Sequence, residues 1–524
     1  MKSKATFHQK NRLHFAIISL MLLFSLLLSG CNISSEKKAT TTKTASENEK
    51  KTKEGGNVVV AIPQDLDFLD PHLAEAAGTR EVLFNVFEGL LKPNNKGELK
   101  EALAESYEVS EDGLAYTFHI REGVKFHNGE ELTSEDVKYS YEKLAGIKTG
   151  KPLYSTFQNV KSIEAPDTKN IIIHLKEKEA SFLTAVTAAV IPAGYEENKT
   201  KPIGTGPFKF VDYQPGQKLV VEKNKDYYVK GIPYLDQVEF RIIPDPETSF
   251  LALQSGEIDI YPRIGTEQQE QLGAGYTNIS APQNLVQLLA LNNARKPFND
   301  RKVRQAVNYA VNTDEIIEGV AIGKGTKIGS NLSPVLEKYY EKSLENKYAT
   351  DLEKAKQLLT EAGYKNGFEL TITAPSNYPF HVDTAQVIAD QLGKIGIKVK
   401  IEKVEWGVWL ERVYSGRDYQ STIIGLDGKL DPYEILSRYI STADNNFLNY
   451  KNKELDQVLS QARTEIDEEK RISLIKQAQT ILTNDAAAVY IMDPNTNVTF
   501  KDSIKGYQTY PIYVQDLSTV YIEK

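Results

Sequence analysis

A layered α/β protein of two or three domains is what this sequence predicts, on three observations. Segments that alternate like strands and segments striped like helices follow one another through both halves of the chain, a pattern that stacks helices on sheets. The length of 524 residues is about three times that of an ordinary domain, which leaves apolar surface for more than one core. The composition is globular, with 40% apolar residues, 26% charged, 33 Gly and 21 Pro, so collagen-like and broadly disordered classes are excluded.

The elements follow in order. Asn57-Val58-Val59-Val60-Ala61-Ile62 is a buried-type strand closed by Pro63. Residues 80–91 set Val82, Leu83, Val86, Phe87 and Leu90 on one stripe and read as a helix stopped by Pro93. Tyr116-Thr117-Phe118-His119-Ile120 alternates as a strand after an Asp112-Gly113 turn. Thr133 and Asp136 form a variant capping box for a helix running through Leu144. Residues 171–175, 218–222 and 237–243 are further strands. The second half is more helical. Residues 300–311 begin at an acidic cap, and residues 351–362 lie between Asp351 and Gly363. A helix over 383–395 precedes a strand over 397–401 with Lys398 and Lys400 outward, and residues 455–482 form a long helix broken near Asp467. No internal repeat of fixed period is present.

Charge and motif content exclude several functions. Lys plus Arg total 63 against 71 Asp plus Glu, a net charge of −8. Lys2, Lys4, Lys10 and Arg12 all fall in the first 30 residues, which hold no acid, so the remaining body carries about −12. Such a body argues against nucleic-acid binding, which needs concentrated Lys and Arg. Cys31 is the sole cysteine, which rules out an intrachain disulfide and a cysteine-based zinc site. The 7 histidines are scattered singly and mark no metal centre. No GxSxG elbow, HExxH helix or P-loop occurs. Gly204-Thr205-Gly206-Pro207 lacks a following Gly-Lys-Ser/Thr, and Pro207 removes an amide, so it reads as a tight turn. Acidic pairs are too plentiful to single out a glycosidase dyad. His127, inside Lys125-Phe126-His127-Asn128-Gly129, reads as a hydrogen-bonded turn residue rather than a catalytic base. Neither catalysis nor a cofactor is expected.

The amino terminus is an address. Residues 13–29 are an apolar run behind a basic stretch, the n- and h-regions of a secretory signal peptide. The run ends in Leu28-Ser29-Gly30-Cys31, which resembles the lipobox of bacterial lipoproteins. That resemblance implies a diacylglyceryl group on the Cys31 thiol and a mature chain starting there; two acyl chains anchor where one is marginal. The competing reading is an uncleaved transmembrane anchor. Residues 32–55 are polar and free of aromatics, a flexible tether with a root-mean-square reach of about 27 Å. The expected location is the extracytoplasmic face of the cell membrane.

Four ordered blocks are more specific. The first runs from Leu103-Ala104-Glu105-Ser106 through Tyr116-Thr117-Phe118 and Ile120-Arg121-Glu122-Gly123-Val124-Lys125-Phe126-His127-Asn128-Gly129 to Leu132-Thr133-Ser134-Glu135-Asp136-Val137. The second is Ile203-Gly204-Thr205-Gly206-Pro207-Phe208 with Asp226-Tyr227-Tyr228 and Gly231-Ile232-Pro233-Tyr234-Leu235-Asp236. The third is Gln254-Ser255-Gly256-Glu257-Ile258-Asp259, and the fourth Phe298-Asn299-Asp300-Arg301-Lys302-Val303-Arg304-Gln305-Ala306. Over residues 56–524 the chain resembles the family-5 solute-binding proteins of ABC importers. The resemblance implies a two-lobed, periplasmic-binding-protein-like fold (type II, cluster C) with crossing strands and an extra α/β domain on the first lobe. It implies a ligand buried between the lobes, and a closed form that docks on a permease served by ATPase subunits. The expected division is signal peptide 1–30, lipidated Cys31 and tether 31–55, first lobe 56–77 with 184–285 and 496–524, extra domain 78–183, and second lobe 286–495. The molecule is expected to be a monomer. The blocks themselves read as turns and core rather than ligand contacts.

Ligand groups follow from the same resemblance. Peptide-binding relatives hold the peptide as an added strand between two backbone segments, and an aspartate meets its ammonium. The first segment, before Leu69-Asp70-Pro71, maps to Asp65-Leu66-Asp67; an ordinary strand end is its other reading. Main-chain pairing reads what all peptides share. The second lies within residues 423–432, where Gly425-Leu426 matches a family Gly-Trp pair with Leu426 in place of the Trp. The usual amine-binding position, four residues before Pro432, is Gly428, so Asp427 is the candidate acid and Asp431 the fallback. Dipeptide-binding relatives clamp the ligand carboxylate with an arginine in a loop that here reads Ser376-Asn377-Tyr378-Pro379-Phe380-His381, without Arg. His381 offers a hydrogen bond but is neutral at its ordinary pKa, so longer peptides, or a ligand lacking a free carboxylate, fit better. Trp406 and Trp409, the only tryptophans, offer an aromatic wall, with core packing as the alternative for Trp409.

The expected function is a lipid-anchored, non-enzymatic receptor that delivers extracellular oligopeptides to an ABC permease. The alternatives are the same role for a nickel chelate, haem or another small non-peptide solute, and a surface hydrolase or folding factor. Substituting Cys31→Ser should move the protein from the membrane to the soluble fraction on cell fractionation; continued retention would favour the uncleaved anchor.

Overall fold

A computed structural model describes residues 55–523; the apolar leader, Cys31 and the tether up to residue 54 lie outside the described residues. Twelve strands share one sheet. Its order is Lys398–Val404, Glu369–Pro375, Ser421–Asp427, Leu285–Leu291, Ala488–Lys501, Ile260–Pro262, Asn57–Ile62, Gln237–Ile242, Lys218–Lys223 and Phe208–Gln214, while Tyr276–Pro282 and Gly325–Lys327 also pair with Ala488–Lys501. The sheet belongs to two lobes. Residues 488–492 of the long strand pair with Leu285–Leu291 in the second lobe. Residues 495–501 pair with Tyr276–Pro282, and 498–500 with Ile260–Pro262, in the first.

The adjacent strand is interrupted at Gln283-Asn284, where Asn284 takes φ +60°, a left-handed conformation that asparagine tolerates. The bend is held by Asp493. Its carboxylate accepts from the amides of Gln283 (3.2 Å), Asn284 (2.9 Å) and Leu285 (3.2 Å) and from the Ser333 hydroxyl (2.5 Å). Burial pushes the Asp493 pKa up to about 6 against the pull of these donors.

In the second lobe the strands are covered on both faces, which explains their continuous apolar runs. Leu288, Ala290, Ile424 and Leu426 pack with Trp409, Tyr439 and Phe447. Leu289, Leu291 and Ile423 face the opposite core of Val303, Val307, Ile388 and Leu392. In the first lobe Val58, Val60, Leu219, Val221, Val238 and Phe240 pack with Val82, Leu83, Val86 and Phe87, so this segment, expected in the extra domain, shares the first-lobe core. An extra antiparallel sheet orders Ala104–Val109, Ala115–Ile120, Asn170–Leu175 and Val160–Glu164. Its buried residues Tyr116, Phe118, Ile171 and Ile173 pack with Val137, Tyr141 and Leu144 of the helix Ser134–Ala145.

Caps fall where expected. Thr133 donates its amide to the Asp136 carboxylate (2.8 Å). Asp300, Asp351 and Asp467 accept the amides of Lys302, Lys354 and Lys470 (2.8, 2.8 and 3.0 Å), the last at the break between Lys453–Thr464 and Glu468–Asn484. Two helices differ from expectation. The one expected over 80–91 is Ala77–Leu83. Beyond it, Asn85 donates to the Val82 and Gln515 carbonyls (3.1 and 2.6 Å) and accepts from the Leu517 amide (3.0 Å), while the Val86 carbonyl accepts from Gly206 (2.9 Å). The stripe is buried by these tertiary bonds without continuing as helix. A Cβ on Gly204 would stand 2.0 Å from the Val86 oxygen, so this glycine turn serves close backbone approach. The helix expected over 383–395 is Pro379–Gly393, because Pro379 is preset for the first helical position.

Buried histidines give the fold a pH dependence. His72 bonds the Ala189 carbonyl (2.8 Å), and His127 bonds the Gly206 carbonyl (3.1 Å) and accepts from the Gly204 amide (3.3 Å). Burial draws both down to about 4, and His381 likewise. Unfolded, each would bind a proton near its ordinary value of 6.5, so the unfolded state takes up more protons as pH falls from 6.5 towards 4 and stability is lost over that window. Asp493, Glu81 and Glu434, whose carboxyls burial raises in the folded state, work in the opposite sense and offset part of this loss. The melting temperature should fall as pH drops from 7 to 5, and His127→Gln should flatten the slope. An unchanged slope in His127→Gln would contradict a neutral buried imidazole at that position.

Candidate ligand-binding cavity between the lobes

A cavity of about 460 Å³ opens where the lobes face each other, within the range of small-molecule sites. The first lobe supplies Arg80 from the helix Ala77–Leu83, then Phe84, Phe87 and Glu88. Residues 184–185, 187–189 and 511–514 add two more walls; Gln283-Asn284 at the strand interruption and residues 427–430 of the second lobe complete it.

Asp427 is the candidate that reaches this space: its exposed carboxylate ends the strand Ser421–Asp427 and lines the cavity. That strand pairs with Leu285–Leu291 along its length but meets Glu369–Pro375 only at Ile372↔Ser421 and Thr373↔Thr422. Its edge over residues 424–427 therefore has no ladder partner on that side. The adjoining loop is pinned to the hinge, with the Gly428 amide on the Asn284 carbonyl (2.6 Å) and the Asn284 side chain on the Lys429 carbonyl (3.1 Å). A Cβ at Gly428 would stand 2.1 Å from the Asn284 side chain. No acid fits there, which accounts physically for an acid one position earlier.

The other sequence candidates lie outside the cavity lining. Gly425 donates its amide to His381 Nε2 (3.1 Å), and His381 Nδ1 faces the Gln287 amide group at 3.0 Å. Both ring nitrogens are thus engaged inside the lobe, and burial holds the ring neutral at physiological pH. Leu426 belongs to the second-lobe core. Asp431 caps Pro432–Leu436 through the Tyr433 amide (2.8 Å) and pairs with Arg471 at 2.8 Å, the two side chains 6% and 8% exposed. It is a buried structural ion pair.

Asp65 accepts from the Leu66 and Gly216 amides (2.8 and 2.7 Å) and the Tyr213 hydroxyl (2.7 Å), and Asp67 from the Glu75 and Ala76 amides (both 2.8 Å). These carboxylates tie loops together, and Leu66 is core. Trp409 is buried with its Nε1 on Thr422 Oγ1 (2.9 Å); Trp406 stacks on it at 5.1 Å and 4°, and Tyr378 meets Trp406 edge-on at 5.4 Å.

Sequence reasoning missed the charged groups of the first-lobe wall and their counterpart across the cleft. Glu88 Oε1 accepts from Lys92 (3.1 Å), Tyr227 (2.8 Å) and Tyr228 (3.1 Å). The signal was visible: an acid and a base four residues apart inside an apolar run. Glu434, pushed upward in pKa chiefly by burial, accepts from the Thr184 hydroxyl at 3.0 Å, a hydrogen bond that crosses between lobes. Nothing in the local sequence marks that pairing.

Among the described residues no helix is long and apolar enough to cross a membrane. The model for bacterial extracellular solute-binding proteins, family 5 Middle, matches residues 98–447. The oligopeptide-binding protein AppA of Bacillus subtilis is 29% identical over 94% of this chain and 96% of its own length. The heme-binding protein A of Haemophilus influenzae is 30% identical over 93% and 95%. The structure of the ABC transporter-associated periplasmic binding protein DppA from Helicobacter pylori, in complex with peptide STSA, covers 90% of this chain and 99% of its own at 31% identity and a TM-score of 0.72. Fold, family match and relatives agree: the chain belongs to the family-5 bacterial extracellular solute-binding proteins, the non-enzymatic substrate-binding components of ABC importers.

Proposed function

We propose that this protein captures oligopeptides in the interlobe cavity and presents them to an ABC permease, held at the membrane by a lipid on Cys31. The observation that carries the peptide reading is Asp427, an exposed carboxylate with no ion-pair partner among the described residues, at the end of the strand Ser421–Asp427 in a cavity walled by both lobes. A peptide with a free amino terminus carries the complement, an ammonium for the acid. Names of relatives support the same class, since AppA is called oligopeptide-binding and the DppA structure holds a peptide. A ligand that touches both lobes favours the closed arrangement over the open one by its differential contacts. That bias lets the permease distinguish loaded from empty receptor.

A charge-assisted hydrogen bond contributes about 1.5–3 kcal/mol. Asp427→Asn should therefore weaken binding of a short peptide with a free amino terminus by about tenfold or more, read by calorimetry, and N-acetylation of the peptide should have a similar effect on the unsubstituted protein. Equal affinities throughout would remove Asp427 from the site. Recovery of only non-peptide solute from gently purified protein, by mass spectrometry, would reject the peptide reading.

A further inference from the structure

Arginines in this fold are mostly engaged. Arg263 donates to Glu81 at 2.8 and 2.9 Å and Arg471 to Asp431 at 2.8 Å, while Arg304 reaches the Phe298 and Asp485 carbonyls, both at 2.8 Å. Arg80 differs. Among the described residues its guanidinium has no carboxylate partner and one long hydrogen bond, to the Ala74 carbonyl at 3.4 Å. Arg80 is exposed on the helix Ala77–Leu83 and lines the interlobe cavity beside Tyr154, whose hydroxyl is tied to the Pro71 carbonyl at 2.8 Å.

The other cations at the cavity are placed differently. Lys92 is engaged by Glu88 and by the Tyr227 hydroxyl, each at 3.1 Å. Lys429 is exposed on the second-lobe loop that also carries Asp427. A cation and an anion without ion-pair partners, Arg80 and Asp427, thus face one cavity from opposite lobes. An Arg guanidinium presents a planar fork matched to a carboxylate.

We infer that Arg80 binds a carboxylate of the ligand, so that a zwitterionic short peptide spans the cleft with its ammonium on the second lobe and its carboxylate on the first. This rests on the peptide reading above and adds to it the requirement for a free acid. It also supplies, from the first lobe, the cation that residues 376–381 lack. Two ion pairs on opposite lobes make closure depend on the whole ligand: a peptide lacking either charge bridges the lobes less strongly.

The test compares a short peptide with a free carboxyl terminus and its carboxamide, by calorimetry on the full chain. The unsubstituted protein should bind the acid about tenfold or more tightly than the amide. Arg80→Gln should abolish that preference, and Lys429→Ala, an equal change of charge in the same cavity, should retain it. Equal binding of acid and amide by the unsubstituted protein, a preference surviving in Arg80→Gln, or one lost in Lys429→Ala instead would each overturn the assignment and leave peptide capture standing. If neither peptide binds, the peptide reading falls and the assignment with it.

Discussion

Both lobes hang on one fourteen-residue strand, Ala488–Lys501, and on the carboxylate of Asp493 at its midpoint. A strand shared between two halves of a sheet would normally fix them rigidly. Here the neighbouring strand is broken at Gln283-Asn284, and the amides freed by the break are gathered by Asp493 rather than by a ladder. An unsatisfied buried amide is costly, so the carboxylate makes an interruption of the sheet tolerable. The interruption in turn places a joint beside the cavity. Asn284 belongs to both structures: its backbone is held by Asp493, and its side chain and carbonyl hold residues 428–429.

That arrangement orders the chemistry of the cleft. The second-lobe acid, Asp427, is carried by a loop fixed to the joint, and the opposite wall is carried by the first helix and the turn after it. Engaged and open charges are segregated. Glu88 with Lys92 and Asp431 with Arg471 are closed pairs, whereas Asp427 and Arg80 are open to a guest. Thr184 and Glu434 already touch across the cleft, so the described arrangement has contacts between lobes that do not involve a ligand.

Much of the fold was legible because it is written in local signals. Aspartate caps at 300, 351 and 467 and strand alternation at 116–120 and 171–175 need only short windows to read. The helix expected over 80–91 failed for the opposite reason: its apolar stripe is real, but Asn85 and Val86 bond to residues 206, 515 and 517, hundreds of positions away in part. At the cavity, Asp427 was legible only as the acid one residue before the family's amine-binding position, Gly428. The inward turn of His381, the pairing of Asp431 with Arg471 and the openness of Arg80 depend on which side chains meet in space. Spacing along the chain carries no trace of them.

The two tryptophans carry a further consequence. Trp406 and Trp409 lie almost parallel, and the second is tied to Thr422 in the strand that ends at Asp427. Coupling between stacked indoles changes steeply with separation and angle. Any shift of that strand against the segment bearing Trp406 therefore alters near-ultraviolet dichroism and emission, and the molecule holds an intrinsic optical gauge fastened to the strand that ends at the cavity.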